Sequence, residues 1–160
     1  MRKLLTTLLA ICLLSGVAFA KTKAPLEWLF VLNADQAQVV PAGQKAKLVL
    51  VRPSKNVLAF TNRPNRKMMQ IKTRSFVQNW TKGFGHDEPN GAYVHSDLVA
   101  HKDGTVTPVA AELMNPHFEQ GRLVFDMKSL DGKGFKPQRL KDVSVFIDDY
   151  PCASFMDCPL

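Results

Sequence analysis

"AYVHSDLVAHKDGTVTPVAAEL" (residues 92–113) places two apolar-rich runs on either side of Asp103-Gly104. An Asp-Gly pair between such runs is a strong two-residue hairpin signal, because its backbone readily takes the positive φ values of the turn. With Lys102 opposite Thr105, the register sets Val94, Ser96, Leu98 and Ala100 against Thr107, Val109, Ala111 and Leu113. That mostly apolar face is expected on the core. The other face holds Tyr93, His95, Asp97, Val99 and His101 against Val106, Pro108, Ala110 and Glu112, and is expected in solvent. His95 then pairs across the strands with Glu112, and Pro108 marks an edge.

Working outward, short β-branched or aromatic runs recur between turn signals: "WLFVL", "AQVV", "AKLVLV", "NVLAF", "RLVFDMK" and "VSVFI" join the two above. Such a series argues for an all-β fold, mainly an antiparallel β-sandwich. One short α-helix interrupts it at "SFVQNWTKGF" (75–84). Ser75 with Gln78 resembles a capping box, Phe76 and Trp80 lie one turn apart as core anchors, and Gly83 is a stop.

The first twenty residues carry Arg2 and Lys3, an apolar stretch, and small residues ending at Ala18-Phe19-Ala20. This is the pattern of a cleavable signal peptide (1–20), leaving residues 21–160 as a single domain in the periplasm or secreted from the cell. The mature chain has 19 basic and 14 acidic side chains, a net charge of +5. That excess suits an anionic ligand or an envelope component. No nucleic-acid-binding motif occurs, and no segment after the signal is long and apolar enough to be a transmembrane helix. Two cysteines remain, Cys152 and Cys158, and an even pair in an exported chain is expected to form a disulfide that pins the C-terminal tail.

Candidate chemistry is sparse. There is no G-x-S-x-G elbow, no H-E-x-x-H and no glycine-rich phosphate loop, and no cofactor is expected. Asp148 and Asp149 are adjacent on a strand and point to opposite faces, so they make poor acid/base partners. His86, His95 and Asp97 form an alternative metal set, whereas His95 and His101 are about 20 Å apart along a strand and cannot share an ion. "FTNRPNRK" (60–67) offers Arg63 and Arg66, two guanidinium forks that suit a carboxylate or phosphate. The acidic corner "HDEPN" (86–90) can satisfy them internally instead. The ligand-binding patch read from these segments is Arg63, Arg66, Asp87 and Asn90.

The ordered segments "FTNRPNR" (60–66), "TRSFVQNW" (73–80), "DEPNGAYV" (87–94), "VAAELMNPHFEQGRLVFDM" (109–127) and "VSVFID" (143–148) are similar to those of a group of small exported bacterial proteins of uncharacterised function. The chain departs from that pattern at Glu88, where the group has proline, and at Gly91, where it has alanine. The resemblance implies a secreted, β-rich domain and brings no activity with it. The sequence reading is thus an exported, non-catalytic binding or envelope-associated β-sandwich protein, with a metal-binding protein or metal-dependent enzyme as its alternative.

Overall fold

The computed structural model describes residues 27–63, 66–85, 87–98, 102–105 and 107–151, with backbone alone for 149–151. The signal segment, His86, His101 and the Cys152 and Cys158 pair lie outside these residues.

A sixteen-residue strand, β1 (Glu27–Ala42), organises the fold. It absorbs two of the runs expected as separate strands, because polar Asp35 and Gln36 at its middle are both exposed and shift the inward alternation by one position while pairing continues on either side of them. A two-residue loop, Gly43-Gln44, returns the chain into β2 (Lys45–Pro53), with Ala42 opposite Lys45. Gly43 has φ 68°, a conformation that glycine adopts without steric cost. After a bend at Ser54-Lys55 the chain continues as β3 (Asn56–Thr61), which pairs with the first half of the same β1. β4 (Met68–Lys72) folds back on β3, so "FTNRPNRK" contains a hairpin loop.

The remaining strands are β5 (Asn90–Val94), β6 (Val109–Glu119), β7 (Arg122–Ser129) and β8 (Gln138–Pro151). All pairings are antiparallel and run β2-β7-β6-β5-β8-β1-β3-β4, with a further β2–β1 pairing. That last pairing closes six strands into a ring, and β3–β4 extends from it. The all-β, antiparallel class read from the sequence is therefore the one that forms. Its opposing walls face each other across one core, as the layers of a sandwich do, and here they belong to one continuous sheet. Among the described residues β4 has a single neighbour, and the basic residues Arg66, Lys67 and Lys72 around it discourage further pairing.

The Asp103-Gly104 register is corrected. Tyr93 lies opposite Val109 rather than Met114, a slip of five residues, and an odd slip turns one strand over. Tyr93, expected in solvent, is buried, whereas Val94 is half-buried. β6 keeps its expected inward face, with Ala111 and Leu113 buried. Burying a tyrosine ring removes far more apolar surface from water than burying a valine, and this outweighs a local turn preference. Burial pushes the Tyr93 phenol up to about 12, so it stays neutral at physiological pH. Asp103 still makes a turn, accepting from the Thr105 amide at 2.9 Å and its hydroxyl at 2.7 Å, which hold the carboxyl below the usual carboxylate range. That turn sits in the long connection between β5 and β6, not at a hairpin tip.

The helical segment is two short pieces, α1 (Thr73–Gln78) and α2 (Trp80–Phe84), meeting at Asn79. The Ser75 capping box does not form; α1 starts two residues earlier. Thr73 anchors that start, its hydroxyl donating to the Ser54 carbonyl at 2.6 Å and its amide to the Lys55 carbonyl at 2.9 Å. Helices this short are unstable in isolation and need a packed face. Phe76, Trp80 and Phe84 supply it, one turn apart and buried, with Phe76 5.0 Å from Phe30 and Trp80 5.6 Å from Phe125 between ring centres.

Candidate functional site

The arginine corner occupies the loop joining β3 to β4. The Thr61 amide donates to the Lys67 carbonyl at 3.0 Å, the Lys67 amide to the Thr61 hydroxyl at 2.9 Å, and the Arg66 amide to the Asn62 carbonyl at 3.3 Å. Arg66 has φ 48°, consistent with a tight loop. Both Arg63 and Arg66 are exposed, and neither forms an ion pair with a described residue. The internal pairing expected with the 86–90 corner is absent among the described residues. Glu88 instead accepts from the Trp80 indole at 2.7 Å, and Asp87 is exposed. Glu88 thus satisfies the one polar atom of a core aromatic that an apolar site would otherwise strand.

Asn90 is drawn elsewhere. At the start of β5 it shares a cleft of about 340 Å3 with Asn62, Glu27 and Asp148, and this cleft is not lined by Arg63, Arg66 or Asp87. Three of the ordered sequence segments therefore meet there through Asn62, Asn90 and Asp148. Asn62 donates its side-chain amide to the Glu27 carboxylate, so part of the polar lining is satisfied internally.

His95 does not face Glu112. Asn90 lies opposite Glu112, whose carboxylate takes an ion pair from Lys128 at 2.8 Å. His95 is half-buried with its Nδ1 buried and without a hydrogen-bond partner among the described residues, and Asp97 is exposed. Among the described residues no group of three or more His, Cys, Asp or Glu side chains could hold a metal ion; His86 lies outside them.

A second group of cations lies at the other end of the β3–β4 hairpin, roughly 17 Å from the arginine corner by strand rise. Register places Asn56 opposite Lys72, which brings the β2–β3 bend beside the β4–α1 junction. Arg52 and Lys55 flank the first, Lys72 and Arg74 the second, and all four line a cleft of about 510 Å3 with Pro53 and Phe118. Among the described residues no carboxylate lines it. Arg52 gives its Nε hydrogen to Asp35 at 2.6 Å, leaving Lys55, Lys72 and Arg74 with no ion pair to a described residue. The Arg74 guanidinium carbon sits 4.7 Å from the centre of the Phe118 ring, a cation–π contact that limits where its donors point.

The backbone around this cleft is held on several sides. Besides the two Thr73 bonds, the Ser54 amide donates to the Asn33 carbonyl and the Ser54 hydroxyl to the Asn56 carbonyl, each at 2.8 Å. Arg52 has φ 50°, a left-handed conformation between Val51 and Pro53, both of which still pair with β1. Nothing along the chain singles these cations out, because "VRPSK" and "IKTRS" are about twenty residues apart and each looks like a solvated strand end. The signal that links them is that both flank one hairpin, "NVLAF" to "MMQIK", whose second strand has little β-branched character. Compared with known proteins, the chain matches no family model, no curated protein and no solved structure.

Proposed function

We propose that the protein is an exported, non-catalytic binding module for an anionic ligand or envelope component, and that the ligand sits in the cleft of Arg52, Lys55, Lys72 and Arg74. The observation that carries this reading is the charge balance of the cleft among the described residues: four cations, one internal partner outside the lining, and no lining carboxylate. Confined to one concave wall, such charges raise the local concentration of anions and strengthen their binding once water is displaced. The leader-like segment 1–20 supports an extracytoplasmic setting, and the disulfide expected between Cys152 and Cys158 is consistent with it.

Titration with inorganic pyrophosphate, followed calorimetrically at low ionic strength, tests the proposal. Saturable binding is expected, weakened at least tenfold in the Lys72→Gln/Arg74→Gln double variant and retained in Lys133→Gln/Lys136→Gln. The control pair removes the same charge from another cleft, where Lys133 already meets Asp131 at 3.5 Å. No saturable binding, or equal weakening in both variants, would contradict a site at this place.

A further inference from the structure

Resting on that reading, we infer that the cleft is built for a phosphate monoester dianion, with Phe118 acting as a positioning residue for Arg74. Three side chains, Lys55, Lys72 and Arg74, bring positive charge that no described carboxylate neutralises. A carboxylate, a sulfate ester or a phosphodiester offers one negative charge to this set. A phosphate monoester offers close to two at neutral pH, with three terminal oxygens as acceptors. Its oxygens suit the division of labour on the wall, a planar guanidinium fork taking two of them while two ammonium groups act as point charges.

The second observation concerns the fork itself. An exposed arginine ordinarily samples many rotamers, and ordering it on ligand binding costs conformational entropy. Arg74 is exposed but lies against the Phe118 ring at 4.7 Å, so part of that ordering is present before a ligand arrives. Phe118 is in turn fixed, half-buried against the core on β6, opposite Leu123 and close to the Gln120-Gly121 turn. Gln120 and Gly121 both have positive φ, 48° and 79°, as a two-residue hairpin of this type requires. The ring therefore reaches the cleft from a rigid hairpin.

The volume adds a third constraint. At about 510 Å3 the cleft is several times larger than a phosphate group, and Pro53 and Phe118 give it an apolar wall. The ester's organic part has room there. Two sources share this chemistry: a small soluble phosphomonoester, and a lipid whose head group is a phosphate monoester.

The test uses the mature protein and named probes at pH 8, where a monoester is fully dianionic. Glycerol 3-phosphate represents the soluble source, and vesicles of phosphatidylcholine with and without phosphatidic acid represent the lipid. Phenyl sulfate and benzoate are the singly charged comparisons. The expected result is at least tenfold tighter binding of glycerol 3-phosphate, or selective retention on the phosphatidic acid vesicles, relative to the comparisons. Arg74→Lys and Phe118→Leu should each weaken that binding about fivefold or more, whereas Phe118→Trp, which keeps an aromatic face, should restore it. A structural role alone would move the melting temperature and give no recovery specific to the aromatic variant. If pyrophosphate binds but the monoester is not preferred in either form, or if Phe118→Leu binds as well as wild type, the inference fails while the anion site stands. If pyrophosphate itself does not bind, both fail together.

Discussion

Phe76→Ala is expected to lower the unfolding free energy by about 3–5 kcal/mol, read from urea denaturation of the purified mature protein. Phe76 is fully buried, and its ring meets Phe30 at 5.0 Å, Trp80 at 5.6 Å and Phe84 at 6.3 Å between centres. Truncation removes the central member of this group and leaves a cavity bounded by rings too large to collapse into it. The upper half of the range is favoured by a second consequence. α1 and α2 are six and five residues long, below the length at which helices persist alone, so they depend on the apolar face that Phe76 anchors. Loosening them also loosens Thr73 and its two bonds to the β2–β3 bend, which form one wall of the basic cleft. Phe76→Ala should therefore weaken pyrophosphate binding as well as stability. A loss below about 1 kcal/mol would mean that the helical pieces are not packed on the sheet as described.

Gly91→Ala should cost about 1–3 kcal/mol, the usual range for overfilling a packed core. Gly91 is not in the positive-φ region, and its need for hydrogen in place of a methyl group is one of space. A β-carbon there would press on the Leu113 side chain, lying 2.9 Å from its Cγ, and stand 3.0 Å from the Phe146 carbonyl oxygen. Leu113 is buried and flanked by other core residues, so it has little room to withdraw, and the carbonyl belongs to the β5–β8 ladder. Shortening the obstructing side chain should relieve the clash. Gly91→Ala combined with Leu113→Val is expected to be less destabilising than the sum of the single changes, a coupling that denaturation of the four proteins measures directly. Strict additivity would show that the β5–β6 register places these residues apart.

These two sites also mark what could be read from the chain alone. Short β-branched or aromatic runs between turn signals, such as "AKLVLV", "NVLAF" and "RLVFDMK", are enough to declare strands and an all-β class without tertiary information. Phe76 and Trp80 declare themselves as core anchors by their spacing. Register was harder, since Asp103-Gly104 is a strong local signal that competes with the burial of Tyr93 and the close fit of Gly91 on Leu113. Those contacts involve β6 and β8, distant in sequence, and no turn rule contains them. The hairpin that does organise the sheet, Gly43-Gln44, carries a weaker local signature than Asp-Gly, and β1 runs through a polar pair that reads as a break.

The candidate site followed the same division. Arg63 and Arg66 stand out in sequence because they are close together, and they sit in an exposed loop. Lys55 and Arg74 become neighbours of one cleft through the β3–β4 register, which "MMQIK" hides by its lack of β-branched residues apart from Ile71. Concentration of charge in space, not along the chain, separates the two clusters.

The proposed function depends on anions being held at the basic cleft. Amide chemical-shift mapping of the isotopically labelled mature protein, titrated with pyrophosphate, addresses it residue by residue. The largest changes are expected at Lys55, Lys72, Thr73, Arg74 and Phe118; changes centred on Arg63 and Arg66, or on Lys133 and Lys136, would contradict it.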